Sequence, residues 1–258
     1  MRRLLLTAIC FWGMMYSVSA QDASEYEPRV FHSAKGDSLL YRFHIPAGAV
    51  KGGNRFPMII FLHGSGERGN DNSAQLKHVA KRFVETSFME KYPSFVVVPQ
   101  CPEGQQWAGY SRETEAKLAD KTPTRQLELV MELMDELLKQ YPIERKRVYI
   151  GGLSMGGYGT WSALGNYPDR FAAAFPICGG GYPSYATRMA QVPVWVFHGG
   201  ADSVVPAARS REMVDALRKA GAQVIYTEFP GVDHNSWDPA FDEHPLIYDW
   251  IFSQRKWK

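Results

Sequence analysis

The sequence predicts one α/β domain with a doubly wound, mostly parallel sheet that opens on an antiparallel hairpin. Its 258 residues are enough for a single large domain with a sizeable core. Short apolar runs rich in Val, Ile and Phe are typical of strands that a parallel sheet buries on both faces. These runs alternate with helical patterns as far as the end of the chain, which is the arrangement of a doubly wound sheet.

The elements of the first half follow from turn-forming and apolar residues. Residues 29–32 and 39–44 flank the turn sequence Ala34-Lys35-Gly36-Asp37 and predict the opening hairpin. Uninterrupted apolar runs at 57–62 and 95–98 predict buried strands. The patterns further predict a helix over 73–89 and an irregular stretch from Pro99 to Thr122. Pro123 then begins an amphipathic helix. The residues on its buried side are Leu127, Val130, Met131, Leu133, Met134, Leu137 and Leu138.

The second half continues the alternation of strand and helix. In chain order, the predicted elements are a strand at 147–150, a helix from Tyr158, strands at 172–177 and 192–197, a helix at 206–220, a strand at 224–229 and a helix at about 241–253. Only residues 179–191 separate two of these strands, which is too short for a helical lid domain. The irregular stretch is the expected cover instead, with Trp107 and Tyr110 on its inner face.

The start of the chain has the pattern of an export signal. Two arginines precede an apolar run from Leu4 to Met15, and Val18-Ser19-Ala20 forms a small-residue cleavage site. The apolar run is too short for a transmembrane anchor and lacks a stop-transfer flank. We therefore expect residues 1–20 to be a signal peptide and residues 21–258 to be a single exported domain, periplasmic or secreted, without a membrane anchor.

Charge and cysteine content argue against several classes of function. Removing residues 1–20 leaves 27 basic and 27 acidic residues, so the mature chain has no basic field for nucleic acid or an anionic membrane. Cys101 and Cys178 follow strands that we expect to lie three strand spacings apart, about 14 Å. A disulfide spans at most roughly 7 Å between Cα atoms. We expect two buried thiols, no metal site and no cofactor.

The segment Gly152-Leu153-Ser154-Met155-Gly156 is the most informative motif in the chain. It lies between the predicted strand at 147–150 and the following helix. A G-x-S-x-G sequence in that position is the nucleophile elbow of an α/β-hydrolase. The sharp turn strains the serine backbone and directs its Oγ out of the sheet. The two glycines allow neighbouring backbone to pass where a Cβ would clash.

An acid and a base follow the serine in the order that this fold requires. Asp202 comes directly after the strand at 192–197, and His234 follows the strand at 224–229. All three side chains therefore fall at the C-terminal edge of the parallel sheet, where ligands bind. Ser154 is the candidate nucleophile, His234 the general base and acid, and Asp202 the residue that orients the imidazole. Asp169 and Asp233 are the rivals of Asp202, and Asp169 lies in a turn. His198 and His244 are the rivals of His234. We interpret His198 as a core histidine at a strand end and His244 as part of the last helix.

Five segments together resemble secreted bacterial carboxylesterases of the α/β-hydrolase superfamily. They read FLHGSGERG (61–69), VPQCP (98–102), GLSMGGYG (152–159), FHGGAD (197–202) and DHNSW (233–237). The nearest group includes esterases described as phospholipase/carboxylesterase, dienelactone-hydrolase-like or feruloyl/acetyl xylan esterase-like. The resemblance covers nearly all of the mature chain and implies serine-hydrolase chemistry, without specifying the substrate. Dienelactone hydrolases proper carry a Cys nucleophile, so Ser154 argues against that activity.

The tetrahedral intermediate of such a reaction needs backbone N–H donors, which form an oxyanion hole. Met155 is expected to supply one donor, and the loop after the first buried strand the second, from Ser65 or its rival Gly64. In the same loop, Glu67 and Arg68 are candidates for substrate binding, but we expect them to form an ion pair that braces the backbone. The candidates for lining the acyl pocket are Trp107, Tyr158 and Trp237.

The predicted function is a serine carboxylic-ester hydrolase that works through an acyl-enzyme. The absence of a lid favours short-chain or aromatic acyl esters, either small molecules or acetyl and feruloyl groups carried on plant polysaccharide. A serine peptidase or an acyltransferase uses the same fold and triad, although exopeptidases of this superfamily usually add a propeller or cap. A non-catalytic binding module on a hydrolase scaffold normally lacks a triad residue, and all three are present in this sequence.

Overall fold

An eight-stranded sheet forms the centre of the protein. The computed structural model describes residues 25–49, 53–109, 123–244 and 246–256. Its strands are β1 (Glu27–His32), β2 (Ser38–His44), β3 (Phe56–Leu62), β4 (Phe95–Pro99), β5 (Ile143–Leu153), β6 (Ala173–Ile177), β7 (Val194–Gly199) and β8 (Val224–Phe229). Their order in the sheet is β1-β2-β4-β3-β5-β6-β7-β8. The β1–β2 and β2–β4 pairs are antiparallel and the others parallel, which confirms the predicted fold class.

Helices pack on both faces of this sheet. They are α1 (Thr86–Lys91), α2 (Arg125–Gln140), α3 (Met155–Asn166), α4 (Ala186–Met189), α5 (Ala208–Lys219), α6 (Trp237–Asp242) and α7 (Leu246–Ser253). Successive side chains of a strand point to opposite faces, so Ile60 joins the apolar cluster under α2 and α5 while Ile59 joins the cluster under α6 and α7. The predicted buried side of α2 is buried at all seven positions, and the Thr124 side chain caps this helix by accepting from the Leu127 N–H.

The segment before β4 differs from the predicted helix over 73–89. The structure has 3₁₀ turns at Ala74–Leu76 and Val79–Val84, and a short α-helix only at α1. The backbone leaves the helical region at His78 (φ −107°, ψ −121°) and again at Glu85 (φ −62°, ψ 139°). The predicted continuous helix is therefore wrong, because the sequence pattern did not reveal these two breaks.

The predicted last helix at 241–253 is two helices in the structure. Helix α6 ends at Asp242 and α7 begins at Leu246. The sequence between them contains Pro245, and proline has no N–H with which to continue a helix. The segment between β6 and β7 holds a single 3₁₀ turn, Pro183–Tyr185, and the four-residue α4, in agreement with the absence of a lid domain there.

The cysteines lie where the sheet order predicted. Strands β3 and β5 separate β4 from β6, and Cys101 and Cys178 are both buried free thiols. Burial raises the pKa of the Cys101 thiol to about 12. The predicted signal peptide at 1–20 and Tyr110 lie outside the described residues. In the part of the chain that the structure describes, no helix combines the length and apolar character needed to cross a membrane.

Candidate active site

Ser154 occupies a sharp turn between β5 and α3. Its backbone has φ 52° and ψ −115°, a region that costs a non-glycine residue roughly 1–3 kcal/mol. The turn is held from both sides, because the Ser154 N–H donates to Ile177 O at 3.0 Å and the Ser154 carbonyl accepts from the Tyr158 N–H at 3.0 Å. A Cβ built on Gly156 would lie 1.9 Å from the Leu62 carbonyl oxygen, so a glycine is required there.

The three predicted triad residues meet at the C-terminal edge of the sheet. The Nε2 atom of His234 lies 2.9 Å from Ser154 Oγ, and its Nδ1 atom lies 2.8 Å from Asp202 Oδ2. The strained elbow at the end of β5 brings the serine to this edge, while Asp202 and His234 stand on the loops after β7 and β8. The imidazole thus bridges hydroxyl and carboxylate, the geometry in which a histidine can take the serine proton.

Asp202 is held as a carboxylate by the hydrogen bonds around it. Burial by itself raises the pKa of Asp202, but donation from His198, His234 and the backbone N–H groups of Val205 and Val204 outweighs it. The pKa of Asp202 therefore lies well below its usual range. Its Oδ1 atom accepts both backbone N–H groups, at 2.7 and 2.8 Å, which leaves Oδ2 directed at His234.

The loop after β3 lies beside Ser154. A methyl group built on Gly64 would be 3.7 Å from Ser154 Cβ and 2.8 Å from Leu153 Cδ1, so the glycine permits this close approach. Ser65 is the first residue of a 3₁₀ turn, and Met155 is the first residue of α3. The N–H groups of a first helical turn have no acceptor within the helix, so both are available to a bound group.

His63 fixes the backbone of this loop. Its Nε2 atom accepts the Cys101 N–H at 2.9 Å, so the ring proton is on Nδ1, which donates to the Gly64 carbonyl at 2.6 Å. Burial lowers the pKa of His63 to about 4, so the ring is neutral at neutral pH. In a trans peptide the C=O and the following N–H point in opposite directions. The Ser65 N–H therefore points away from His63.

The predicted ion pair between Glu67 and Arg68 is wrong. The buried Glu67 carboxylate pairs instead with His78, whose Nε2 lies 3.3 Å from Glu67 Oε1. Burial raises the pKa of Glu67, but the hydrogen bond from His78 outweighs it, and the net pKa is lowered. Arg68 donates to the Ser65 carbonyl at 3.0 Å, so it braces the loop through backbone rather than through charge.

The three aromatic candidates for the acyl pocket have different environments. Trp107 is fully buried and donates from Nε1 to the His63 carbonyl at 3.1 Å, so it supports the loop from the core and does not line a pocket. Tyr158 is also buried, packed in a small cluster with Ala108, Tyr182 and Val205. Trp237 meets the His234 ring edge-on at 5.7 Å and lies directly against the triad.

The rival residues have other contacts. His198 is a core histidine, as predicted, and His244 lies between α6 and α7, where its ring contacts Trp195, Phe197 and Phe229, rather than on the last helix. Asp169 belongs to a 3₁₀ turn and accepts from Gln191. The Asp233 side chain accepts from the backbone and hydroxyl of Ser203.

One group among the described side chains has the spacing of metal ligands. Cys178, Asp202 and His234 place their ligand atoms within 4.8 Å of one another. Asp202 and His234 are already hydrogen-bonded to each other, and burial raises the pKa of the Cys178 thiol, so the sulfur keeps its proton. These contacts match a proton-transfer site better than a metal site.

Two histidines that contact the site have roles that sequence reasoning missed. His63 orients the Gly64 carbonyl, and His198 lies against Asp202 Oδ2, the carboxylate oxygen that His234 also contacts. A signal was present, because each stands at the C-terminal end of a strand beside a predicted site residue. Their partners lie on other loops, however, so the contacts could not be read from spacing.

Three comparisons with known proteins found similar proteins. The profile of the Phospholipase/Carboxylesterase family matches residues 49–244. A solved structure of a thermostable esterase superposes with a TM-score of 0.83 at 36% identity, over 91% of this chain and 64% of that chain. Lysophospholipase-like protein 1 of Mus musculus is 26% identical over 210 residues, which are 74% of this chain and 85% of that protein.

A further relative matches over a shorter part of the chain. The bifunctional acetylxylan esterase/xylanase XynS20E of Neocallimastix patriciarum is 33% identical over 82 residues, which are 32% of this chain and 12% of that protein. The family match, in contrast, spans more than half of the chain and includes the serine elbow, Asp202 and His234. The chain therefore belongs to the phospholipase/carboxylesterase family of α/β-hydrolases, a family of carboxylic ester hydrolases.

Proposed function

We propose that the protein hydrolyses carboxylic esters through an acyl-enzyme formed on Ser154. The observation that carries the proposal is the continuous hydrogen-bonded chain from Ser154 Oγ through the His234 imidazole to the Asp202 carboxylate. The strained backbone of Ser154 and the low pKa of Asp202 support it, because backbone strain and perturbed pKa values are both common at catalytic sites.

The steps of the reaction follow from these contacts. Ser154 Oγ attacks the ester carbonyl while His234 Nε2 takes its proton, and the ionised Asp202 stabilises the imidazolium that forms. The imidazolium then protonates the departing alcohol, which leaves the acyl group on Ser154. Water enters, gives its proton to His234, and attacks the acyl-enzyme, and return of that proton to Ser154 Oγ releases the acid.

The oxyanion that forms in each half-reaction needs two donors. We propose that they are the N–H groups of Met155 and Ser65. Gly64 is the rival, but the Gly64 carbonyl is already oriented by His63, and this orientation sets the direction of the Ser65 N–H on the same peptide. A donor held in this way costs no reorganisation when negative charge develops.

Replacing Ser65 by proline tests this donor without removing a side chain from the core. Ser65 is exposed, proline is tolerated at the first position of a helical turn, and Gly64 already has the extended backbone (φ −77°, ψ 179°) that a residue before proline adopts. We expect Ser65→Pro to lower kcat by about 10²–10³-fold. The control Ser65→Ala keeps the N–H and should retain nearly full activity. Near-normal kcat in a folded Ser65→Pro variant would assign the donor to Gly64.

Short-chain and aromatic acyl esters are the proposed substrates, including acetyl or feruloyl groups on plant polysaccharide. The short connection between β6 and β7 supports this proposal, since it provides no lid domain over the serine. The similarity to an acetylxylan esterase/xylanase supports the polysaccharide substrate. The export pattern of residues 1–20 fits a bacterial enzyme whose substrate is a polymer outside the cell.

The acyl preference is tested with a panel of substrates. We expect higher kcat/KM on p-nitrophenyl acetate, p-nitrophenyl butyrate and methyl ferulate than on p-nitrophenyl palmitate, with no rise in rate at the micelle threshold. Acetate or ferulate release from insoluble xylan tests the polymer substrate, and an aminoacyl anilide tests the peptidase alternative. Interfacial activation or preference for palmitate contradicts the open site. Reaction of small soluble esters alone restricts the function to a general carboxylesterase.

A further inference from the structure

His198 is a buried histidine in contact with the candidate catalytic acid. It lies near the end of β7, is fully buried, and places Nε2 3.3 Å from Asp202 Oδ2. The same carboxylate oxygen accepts His234 Nδ1 at 2.8 Å. Oδ2 of Asp202 is therefore shared between two imidazole rings, and only one of them, His234, reaches the serine.

The hydrogen-bond partners of His198 place a hydrogen on its Nε2 atom. Its Nε2 faces the Val205 carbonyl at 2.9 Å as well as the Asp202 carboxylate, and both can only accept, so Nε2 carries a hydrogen. Its Nδ1 lies 2.7 Å from Ser210 Oγ, which is also 3.1 Å from the Gly179 carbonyl. The ring is thus anchored on α5 through Ser210, and its Nε2–H bonds to the Val205 carbonyl while Nε2 also lies 3.3 Å from Asp202 Oδ2.

We propose that His198 is a positioning residue for Asp202, and that its Nε2–H withdraws charge from Oδ2 and so sets the pH at which His234 takes up a proton. The inference rests on the proposed function of the triad. A donor to the carboxylate weakens the attraction between Asp202 and a protonated His234. Without that donor, protonation of His234 becomes easier, and the unprotonated base that attack requires is lost at a higher pH.

The other titratable groups around this pair are already paired or neutral. Glu228 faces His198 across the β7–β8 pair. The hydrogen bond from Arg211 lowers the pKa of Glu228 to about 2, so the Glu228 carboxylate and the Arg211 guanidinium compensate each other's charge. Cys178, directly after β6, keeps its proton because burial raises the pKa of its thiol. Asp233, beside His234, is held by Ser203. Glu228 and Asp233 take their hydrogen bonds from Arg211 and Ser203 rather than from His198.

The test is the pH profile of kcat/KM for p-nitrophenyl acetate, followed at the isosbestic wavelength of the product. We expect His198→Leu to move the acid limb to higher pH by about half a unit, as expected from the loss of one polar contact with the carboxylate, with a lower kcat on the plateau. His198→Gln keeps an N–H donor at similar reach and should bring the limb back toward the wild-type position. A purely structural role would change kcat or stability without moving the limb.

A second buried histidine provides the matched control. His44 ends β2, toward the amino ends of the parallel strands, and its Nδ1 contacts the Glu25 carbonyl at 3.0 Å. His44→Leu should leave the limb in place. An unmoved limb in folded His198→Leu, or equal shifts in both leucine variants, overturns the proposal.

Two further results separate the possible failures. If His198→Leu does not fold, Ser210→Ala frees the ring from its anchor and should shift the limb in the same direction, and an unmoved limb in folded Ser210→Ala overturns the proposal. If the wild type shows no ester hydrolysis that Ser154→Ala abolishes, the proposed function itself has failed. Hydrolysis with an unmoved limb rejects only the role of His198.

Discussion

Replacing Ser154 by alanine should lower kcat for ester hydrolysis by at least about 10⁴-fold while the fold is retained. The loss follows from the geometry, because His234 Nε2 would then have no hydroxyl to deprotonate at 2.9 Å. Alanine removes a single oxygen, and the backbone hydrogen bonds of Ser154 to Ile177 and Tyr158 do not involve that oxygen. Steady-state kinetics on p-nitrophenyl acetate, with circular dichroism for the fold, measure both parts of the expectation.

A serine on the following helix serves as the control for this prediction. Ser162 is buried in α3, and Ser162→Ala should leave kcat close to that of the wild type. A fluorophosphonate probe should label the wild type on the peptide that contains Ser154, and the alanine variant should not react. Labelling of a different serine, or near-normal activity in Ser154→Ala, would show that the nucleophile has been assigned to the wrong residue.

Asp202→Asn and His234→Ala should each lower kcat by roughly 10³–10⁴-fold or more. An asparagine amide can donate to His234 Nδ1, and this would leave the ring proton on Nε2, where it can no longer accept from Ser154. If the three residues act as one unit, as we propose, the double and triple variants should lose little more than Ser154→Ala alone. The kcat values of the single, double and triple variants measure this coupling.

Asp233 is the matched control for the acid. It carries the same carboxylate on the same side of the sheet, but its oxygens accept from Ser203 and from the His234 backbone rather than from the imidazole. Asp233→Asn should therefore have a much smaller effect on kcat than Asp202→Asn. Free-energy losses that add across the triad variants would mean that at least one of the three residues does not belong to the unit.

The sheet and the triad could be predicted from sequence because their determinants are local. Apolar runs mark strands that a parallel sheet buries on both faces, and the motif around Ser154 combines the strand, the tight turn and the helix start in a few residues. Asp202 and His234 could be predicted from their positions directly after later strands, because parallel strands bring their C-terminal ends to one edge of the sheet. The order of the sheet also predicted that Cys101 and Cys178 stay apart.

The contacts that hold the site residues in place depend on the tertiary structure. Glu67 pairs with His78 rather than with its neighbour Arg68, and Trp107 packs beneath the loop at His63 rather than in a pocket. Some of these contacts join segments that are distant along the chain. In the others, the sequence pattern does not specify the direction of the side chains. Burial then decides the partner, because a polar group removed from water must bond to whatever the surrounding elements bring within reach. Local pattern therefore determined which residues could do chemistry, and packing determined what holds them in place.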